Sequence, residues 1–136
     1  MAKELYVGKI LTDEMITAGK QFLQQIEAVM PITASFWLYT SEAEVWRLHL
    51  VTPLIATQGP RKVYDKVLNV LDADQEHEYS LPAVSLYATD DNDQYVSSLR
   101  MMRLSHEVSE KRLTSLGVNG RYIEDAYIYR LYEADK

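Results

Sequence analysis

The stretch from Ile32 to Val51, ITASFWLYTSEAEVWRLHLV, constrains the fold more than any other part of the chain. Two segments rich in aromatic, β-branched and aliphatic residues, 35–40 and 45–51, flank the polar sequence Ser41-Glu42-Ala43-Glu44. This composition is typical of two strands and a short connection. We therefore predict a β-hairpin, which needs further layers to cover its apolar side chains.

The register of this hairpin decides which side chains share a face, because a one-residue slip turns a strand over. A three-residue loop, Glu42 to Glu44, pairs Leu38 with Leu48. A two-residue loop at Glu42-Ala43 pairs Leu38 with Arg47 and mixes charge into both faces. Each large apolar side chain left exposed forfeits about 1.5–3 kcal/mol, so we predict the three-residue loop. The apolar face would then consist of Phe36, Leu38, Trp46, Leu48 and Leu50.

The opposite face in the predicted register combines aromatic and cationic side chains. Its members are Trp37, Tyr39, Arg47 and His49. Trp, Tyr and Arg are enriched at binding hot spots, so we predict an interaction patch here. Two alternatives remain open. In the first alternative, helices cover part of this face. In the second, His49 has a catalytic role.

Length and composition set the broad class. A chain of 136 residues is predicted to be a single domain, spanning 1–136. A domain of this size can bury enough apolar surface to fold without disulfides or a structural metal. It has no cysteine, and it shows no apolar run typical of a signal peptide or a membrane span. These features favour a soluble, cytoplasmic protein with no membrane association. The net charge of −6 argues against general attraction to nucleic acid.

Apolar periodicity predicts the elements on either side of the hairpin. A helix capped by Thr12 or Asp13 carries an apolar face as far as Met30 and ends at Pro31. Its apolar positions are Met15, Ala18, Gly19, Phe22, Ile26, Val29 and Met30. A second helix begins at Pro60 and runs through Leu71. Residues 81–88 are predicted as a third strand, with Val84, Leu86 and Ala88 on one face.

The C-terminal third is predicted to be helical and then extended. A cap cluster of Asp90, Asp91 and Asp93 precedes a helix over about 91–104. Residues 105–116 either continue this helix or form a second one, with Gly117 as the stop. Residues 121–132 are the last strand, with Ile123, Tyr127, Tyr129 and Leu131 on one side. The predicted fold is α+β, a mainly antiparallel sheet of four or five strands with helices packed on it.

Two charged segments are candidate sites. The basic residues Arg100, Arg103, Lys111 and Arg112 would lie on a solvated helix face, or on a surface that docks an acidic partner or nucleic acid. Residues 72–78, DADQEHE, resemble half of a calcium loop but lack its glycine and distal glutamate. We predict a solvated acidic loop there, with a weak metal site as the alternative.

Sequence motifs for catalysis and cofactor binding are missing from the chain. It has no GxSxG elbow, HExxH pair, GxGxxG loop or Walker loop. We therefore predict no metal and no cofactor, and lean against an enzyme. The leading hypothesis is a protein-interaction module that forms a homodimer, isologous dimers being the commonest oligomers. The alternatives are a small-ligand site or an enzyme with a pocket near Arg47 and His49, and nucleic-acid binding through the 100–112 segment.

Overall fold

The computed structural model describes residues 3–73, 78–101, 111–118 and 121–131. They form an α+β fold, as predicted. The elements in chain order are β1 (Lys3–Glu4), α1 (Asp13–Ile26), β2 (Ala34–Thr40), β3 (Val45–Val51), α2 (Leu54–Gln58), α3 (Pro60–Ala73), β4 (Tyr79–Ser80), a 3-10 turn (Ala83–Ser85), β5 (Leu86–Thr89), α4 (Gln94–Met101), β6 (Lys111–Val118) and β7 (Arg121–Leu131).

The main sheet has five strands in the order β5-β3-β2-β7-β6. The pairs β2–β3, β2–β7 and β6–β7 are antiparallel, and β3–β5 is parallel. The connection from β3 to β5 contains α2 and α3, and such a crossover allows a parallel pair. A separate two-stranded parallel sheet joins β1 to β4. The predicted sheet, mainly antiparallel and with four or five strands, is confirmed.

Helix α1 begins where the sequence predicts and ends earlier. The Thr12 Oγ1 accepts a hydrogen bond from the backbone N–H of Met15 at 3.2 Å, which makes Thr12 the N-cap. The helix stops at Ile26, and hydrogen-bonded turns carry the chain through Val29 to Met30. Met30 is buried as predicted, whereas Val29 is half-exposed, because the helical periodicity no longer applies to it.

The predicted hairpin register is wrong. Leu38 pairs with Arg47 and Trp37 with Leu48, and the connection is the four residues 41–44. The Glu44 N–H donates to the Thr40 carbonyl at 2.8 Å, and the Ala43 N–H donates to Thr40 Oγ1 at 3.2 Å. Glu44 adopts the left-handed region, with φ of 59°. This wider loop supplies the turn that Glu42-Ala43 alone would make poorly.

Both faces of the sheet are covered, which explains why the register argument failed. Trp37, Trp46, Leu48 and Leu50 lie in one core with the apolar faces of α1 and α3. Phe36, Leu38 and Val51 lie in a second core with Val96 and Leu99 of α4 and Ile128 of β7. The predicted register would be favoured only if one face of the sheet were exposed to solvent. With a helix on either side, large apolar residues are buried on both.

A chain of hydrogen bonds ties the buried Trp37 to α1. The Trp37 indole Nε1–H donates to the Tyr129 hydroxyl at 2.9 Å, and that hydroxyl donates to the Ile16 carbonyl at 2.5 Å. Gly19 makes this approach possible. A Cβ added at Gly19 would lie 2.5 Å from the Tyr129 hydroxyl oxygen and 2.8 Å from Trp37 Nε1.

The C-terminal elements differ from the prediction in several places. Residues 111–116 of the predicted helix lie in strand β6 (Lys111–Val118), and Gly117 lies inside this strand rather than ending a helix. The helix before them, α4, begins at Gln94 and is described as far as Met101. Val84 lies in the 3-10 turn and is exposed, so only Leu86 and Ala88 form the buried side of β5.

Strand β7 contains one extra residue, which divides its predicted faces. Ser35 lies opposite Arg130 and Phe36 opposite Ile128, so Tyr129 is left between the paired positions. Tyr127 and Tyr129 pack with the first core, whereas Ile123 and Leu131 pack with Ile128 in the second. The prediction that these four share a side is therefore wrong.

The outer edge of β5 is closed by a side chain. Strand β5 pairs with β3 along one edge. On its other edge, the Ala88 N–H donates a hydrogen bond to the Tyr64 hydroxyl of α3 at 2.9 Å. Ala88 is buried, so this N–H would otherwise lack water as a partner.

Candidate functional site

A cleft of about 380 Å³ lies on the sheet face that α4 covers only in part. We call it the Arg47 cleft. The described residues in its wall are Leu38, Thr40, Glu42, Ala43, Val45, Arg47, His49, Tyr87, Asp93 and Tyr95. These residues come from β2, β3, β5, the hairpin loop and the start of α4. The volume lies at the small end of the roughly 300–1,000 Å³ typical of small-molecule sites.

The hairpin register places Arg47 and His49 in this cleft. The two residues are separated by one position on β3, so their side chains project to the same face. That face also carries Leu38, which pairs with Arg47, and Phe36, which pairs with His49. Tyr87 joins them because β5 runs parallel to β3 and sets Tyr87 opposite His49.

The start of α4 forms the opposite wall, and Asp93 fixes its position. Asp93 Oδ1 accepts hydrogen bonds from the backbone N–H groups of Tyr95 at 2.8 Å and Val96 at 3.3 Å. Its Oδ2 accepts from the Thr89 hydroxyl at 3.3 Å, which links the cap to the end of β5. The predicted cap cluster is thus confirmed at Asp93.

His49 is a buried, neutral imidazole at the wall of the cleft. Its ring stacks on Phe36 with centroids 4.9 Å apart and packs at an angle against Tyr87 at 4.8 Å. The residue is 6 % exposed, and its buried Nδ1 has no hydrogen-bond partner among the described residues. Burial, with a smaller contribution from the charge of Arg47, lowers the pKa of His49 to about 3.

That pKa bears on what His49 does. At neutral pH the ring is uncharged, and a base this weak is poorly matched to proton transfer near pH 7. A neutral imidazole still offers one N–H donor and one lone-pair acceptor. Its Nδ1 lies below the surface of the cleft, however, so the ring is suited to packing there rather than to the catalytic role considered for it.

Arg47 provides the positive charge of the cleft. The residue is exposed, and among the described residues its side chain makes no ion pair or hydrogen bond. A guanidinium presents five donors in a planar fork that matches a carboxylate or a phosphate. Two carboxylates, Glu42 and Asp93, line the same cleft without pairing with Arg47.

The predicted four-residue patch is divided between two faces. Arg47 and His49 lie together in the cleft, whereas Trp37 and Tyr39 lie on the side of α1 and α3. Trp37 is fully buried, and Tyr39 packs at an angle against Trp46 at 5.8 Å. The prediction that all four share one exposed face is therefore wrong. Trp37 has no surface with which to contact a partner.

The predicted basic residues do not form one helix face. Arg100 on α4 pairs with Asp91 at 2.7 Å, while Arg112 lies on strand β6. Arg112 makes two hydrogen bonds to Asp125, which raise its pKa, and its guanidinium lies 5.4 Å from the centre of the Trp46 ring. Arg103 and the side chain of Lys111 fall outside the described residues.

Residues 74–77 of the predicted acidic loop lie outside the described residues, so its weak metal site stays a prediction. Within the ranges that the structure describes, no three His, Asp or Glu side chains are placed to hold a metal ion. In the same ranges, no helix has the length and apolar character needed to cross a membrane.

Sequence reasoning found Arg47 and His49 and missed most of the cleft around them. Tyr87 and Tyr95 are far from the hairpin in sequence, and only the parallel pairing of β5 and the position of α4 bring them there. Comparison with protein-family models, with curated proteins and with solved structures gave no match.

Proposed function

We propose that this protein is a binding domain for a small ligand that carries a carboxylate group, held in the Arg47 cleft. One observation carries the proposal. An arginine with no ionic partner among the described residues lines a small cleft together with a neutral histidine and two tyrosine rings. A guanidinium that lines a concave site without an anionic partner is suited to bind a carboxylate group of a ligand.

The cleft combines the features expected of such a site. Small-molecule sites are mostly apolar, with a few polar groups that fix orientation. Here Leu38, Val45 and the rings of Tyr87 and Tyr95 supply apolar surface, and Arg47 supplies a fork of donors. The depressed pKa of His49 favours binding over acid–base catalysis.

The test is a titration followed by NMR, with 3-phenylpropionate as the probe. We expect amide shifts at Arg47, His49 and Tyr87, and at least about a tenfold loss of affinity in Arg47→Gln, because a hydrogen bond to a charged group is lost. Arg61→Gln is the matched control, since Arg61 is exposed on α3 and does not line the cleft. Equal binding by both variants, or no binding by the wild type, would contradict the proposal.

Self-association, the leading hypothesis from the sequence, stays a prediction, as does the cytoplasmic location. Trp37, a member of the predicted interaction patch, is fully buried and so is not on a surface that a second chain could contact. Light scattering over a concentration series measures the association state directly. The mass of a single chain at every concentration would contradict the homodimer.

A further inference from the structure

We infer that the ligand of the Arg47 cleft is a zwitterion of the amino-acid type with a flat apolar side chain. This inference rests on the proposed function and narrows it. Its basis is the presence of opposite charges in one cleft that do not neutralise each other.

The charges of the wall set the sign and number of charges that a ligand can carry. Among the described residues, the lining contains one cation, Arg47, and two carboxylates, Glu42 and Asp93, while His49 is neutral. A ligand with two negative charges would meet both carboxylates and be repelled by them. A single carboxylate on the ligand can form an ion pair with Arg47. An ammonium group on the same ligand would be attracted by the two acidic side chains, which would otherwise repel the ligand.

The arrangement of these charges leaves room for such a ligand. Among the described residues, neither Glu42 nor Asp93 is ion-paired with Arg47. Opposite charges that line one cleft without pairing are each available to a molecule that carries both charges. Glu42 is exposed and makes no ion pair in the described part of the chain.

Asp93 keeps capacity for a ligand although it caps α4. Its two oxygens accept three hydrogen bonds, from the N–H groups of Tyr95 and Val96 and from the Thr89 hydroxyl. An ionised carboxylate offers about four acceptor positions. One position therefore remains for an ammonium hydrogen.

The aromatic residues define the remainder of the ligand. Tyr87 and Tyr95 line the cleft together with Leu38 and Val45, so part of its surface is apolar and aromatic. Aromatic rings favour offset or edge contacts with other rings. The cleft volume of about 380 Å³ suits a molecule the size of a single amino acid.

The experiment compares four probes that separate the two charges and the ring. L-Phenylalanine carries both charges and the ring, 3-phenylpropionate lacks the ammonium, 2-phenylethylamine lacks the carboxylate, and glycine lacks the ring. We expect phenylalanine to bind about two- to fivefold more tightly than 3-phenylpropionate, the size of an exposed ion pair. Glycine should bind about tenfold or more weakly than phenylalanine, because ring burial is lost.

Two variants assign the ammonium contact. Glu42→Gln and Asp93→Asn are expected to remove the advantage of phenylalanine without weakening 3-phenylpropionate. Glu42 is exposed, and asparagine still caps a helix, so both variants should fold; far-UV circular dichroism checks this. If 3-phenylpropionate binds through Arg47 as tightly as phenylalanine, the zwitterion is wrong and the anion site stands. If no carboxylate probe binds, both proposals fail.

Discussion

His49 illustrates at the residue scale how burial alters a side chain that ordinarily titrates near neutral pH. The unfolded chain should protonate His49 near its ordinary pKa of about 6.5, whereas the folded protein resists protonation until a pH of about 3. Below about pH 6 the unfolded state therefore binds a proton that the folded state does not. Folding stability is lost as the pH falls through this interval.

A comparison of wild type with His49→Gln isolates this effect. Between about pH 6 and pH 4, the free energy of unfolding of the wild type should fall more steeply than that of the variant, by about 1.4 kcal/mol per pH unit. Chemical denaturation at a series of pH values measures both slopes. The carboxylates are common to the two proteins and cancel in the difference, so parallel curves would show that His49 is not held neutral.

Gly19 is the second residue whose environment makes a sharp prediction. Alanine there would place a methyl group against the Tyr129 hydroxyl and Trp37 Nε1, both of which are buried and hydrogen-bonded. We expect Gly19→Ala to lower the free energy of unfolding by about 1–3 kcal/mol, the range for overpacked cores. Gly117→Ala is the control, because a Cβ at Gly117 meets nothing within 4 Å. Equal stabilities in urea denaturation would contradict this account.

At the scale of elements, the sequence predicted what each segment is better than how the segments pair. The cap at Thr12, the start of α3 at Pro60 and the two hairpin strands follow from local chemistry. The register depended on information that local patterns lack, since it is set by which faces the helices cover. Strand β6 was missed because its residues 111–118, KRLTSLGV, resemble the basic end of a helix as much as an edge strand.

Trp37→Asp tests the corrected register at the level of the hairpin. In the observed pairing this change places a carboxylate in the core beneath α1, where it also removes the donor to Tyr129. Loss of a buried aromatic side chain alone costs about 3–5 kcal/mol, so we expect the variant to unfold. Circular dichroism and thermal denaturation report this. A folded variant with a smaller mass would instead place Trp37 at a subunit interface and overturn the register.

For the whole molecule, the site depends on long-range assembly more than the fold class does. The α+β class follows from strand and helix patterns read one at a time. The Arg47 cleft needs the register of β2 and β3, the parallel addition of β5 and the capped start of α4 to be correct together. That is why Arg47 and His49 could be proposed as neighbours, while Asp93 was identified only as a cap.

The hydroxyl of Tyr64 also affects how molecules of this protein behave toward one another. An exposed strand edge with free N–H groups is a template on which another chain can add a strand, the first step toward fibrils. The Tyr64 hydroxyl accepts a hydrogen bond from the Ala88 N–H on the outer edge of β5, so this N–H is not available to pair with a strand of another chain. Tyr64→Phe keeps the ring but leaves this buried N–H unpaired, which weakens the contact of α3 with the edge of β5. Mild destabilisation should then expose the edge more readily and raise the rate of thioflavin-positive aggregation. Tyr122→Phe, at an exposed tyrosine on β7, should leave that rate unchanged.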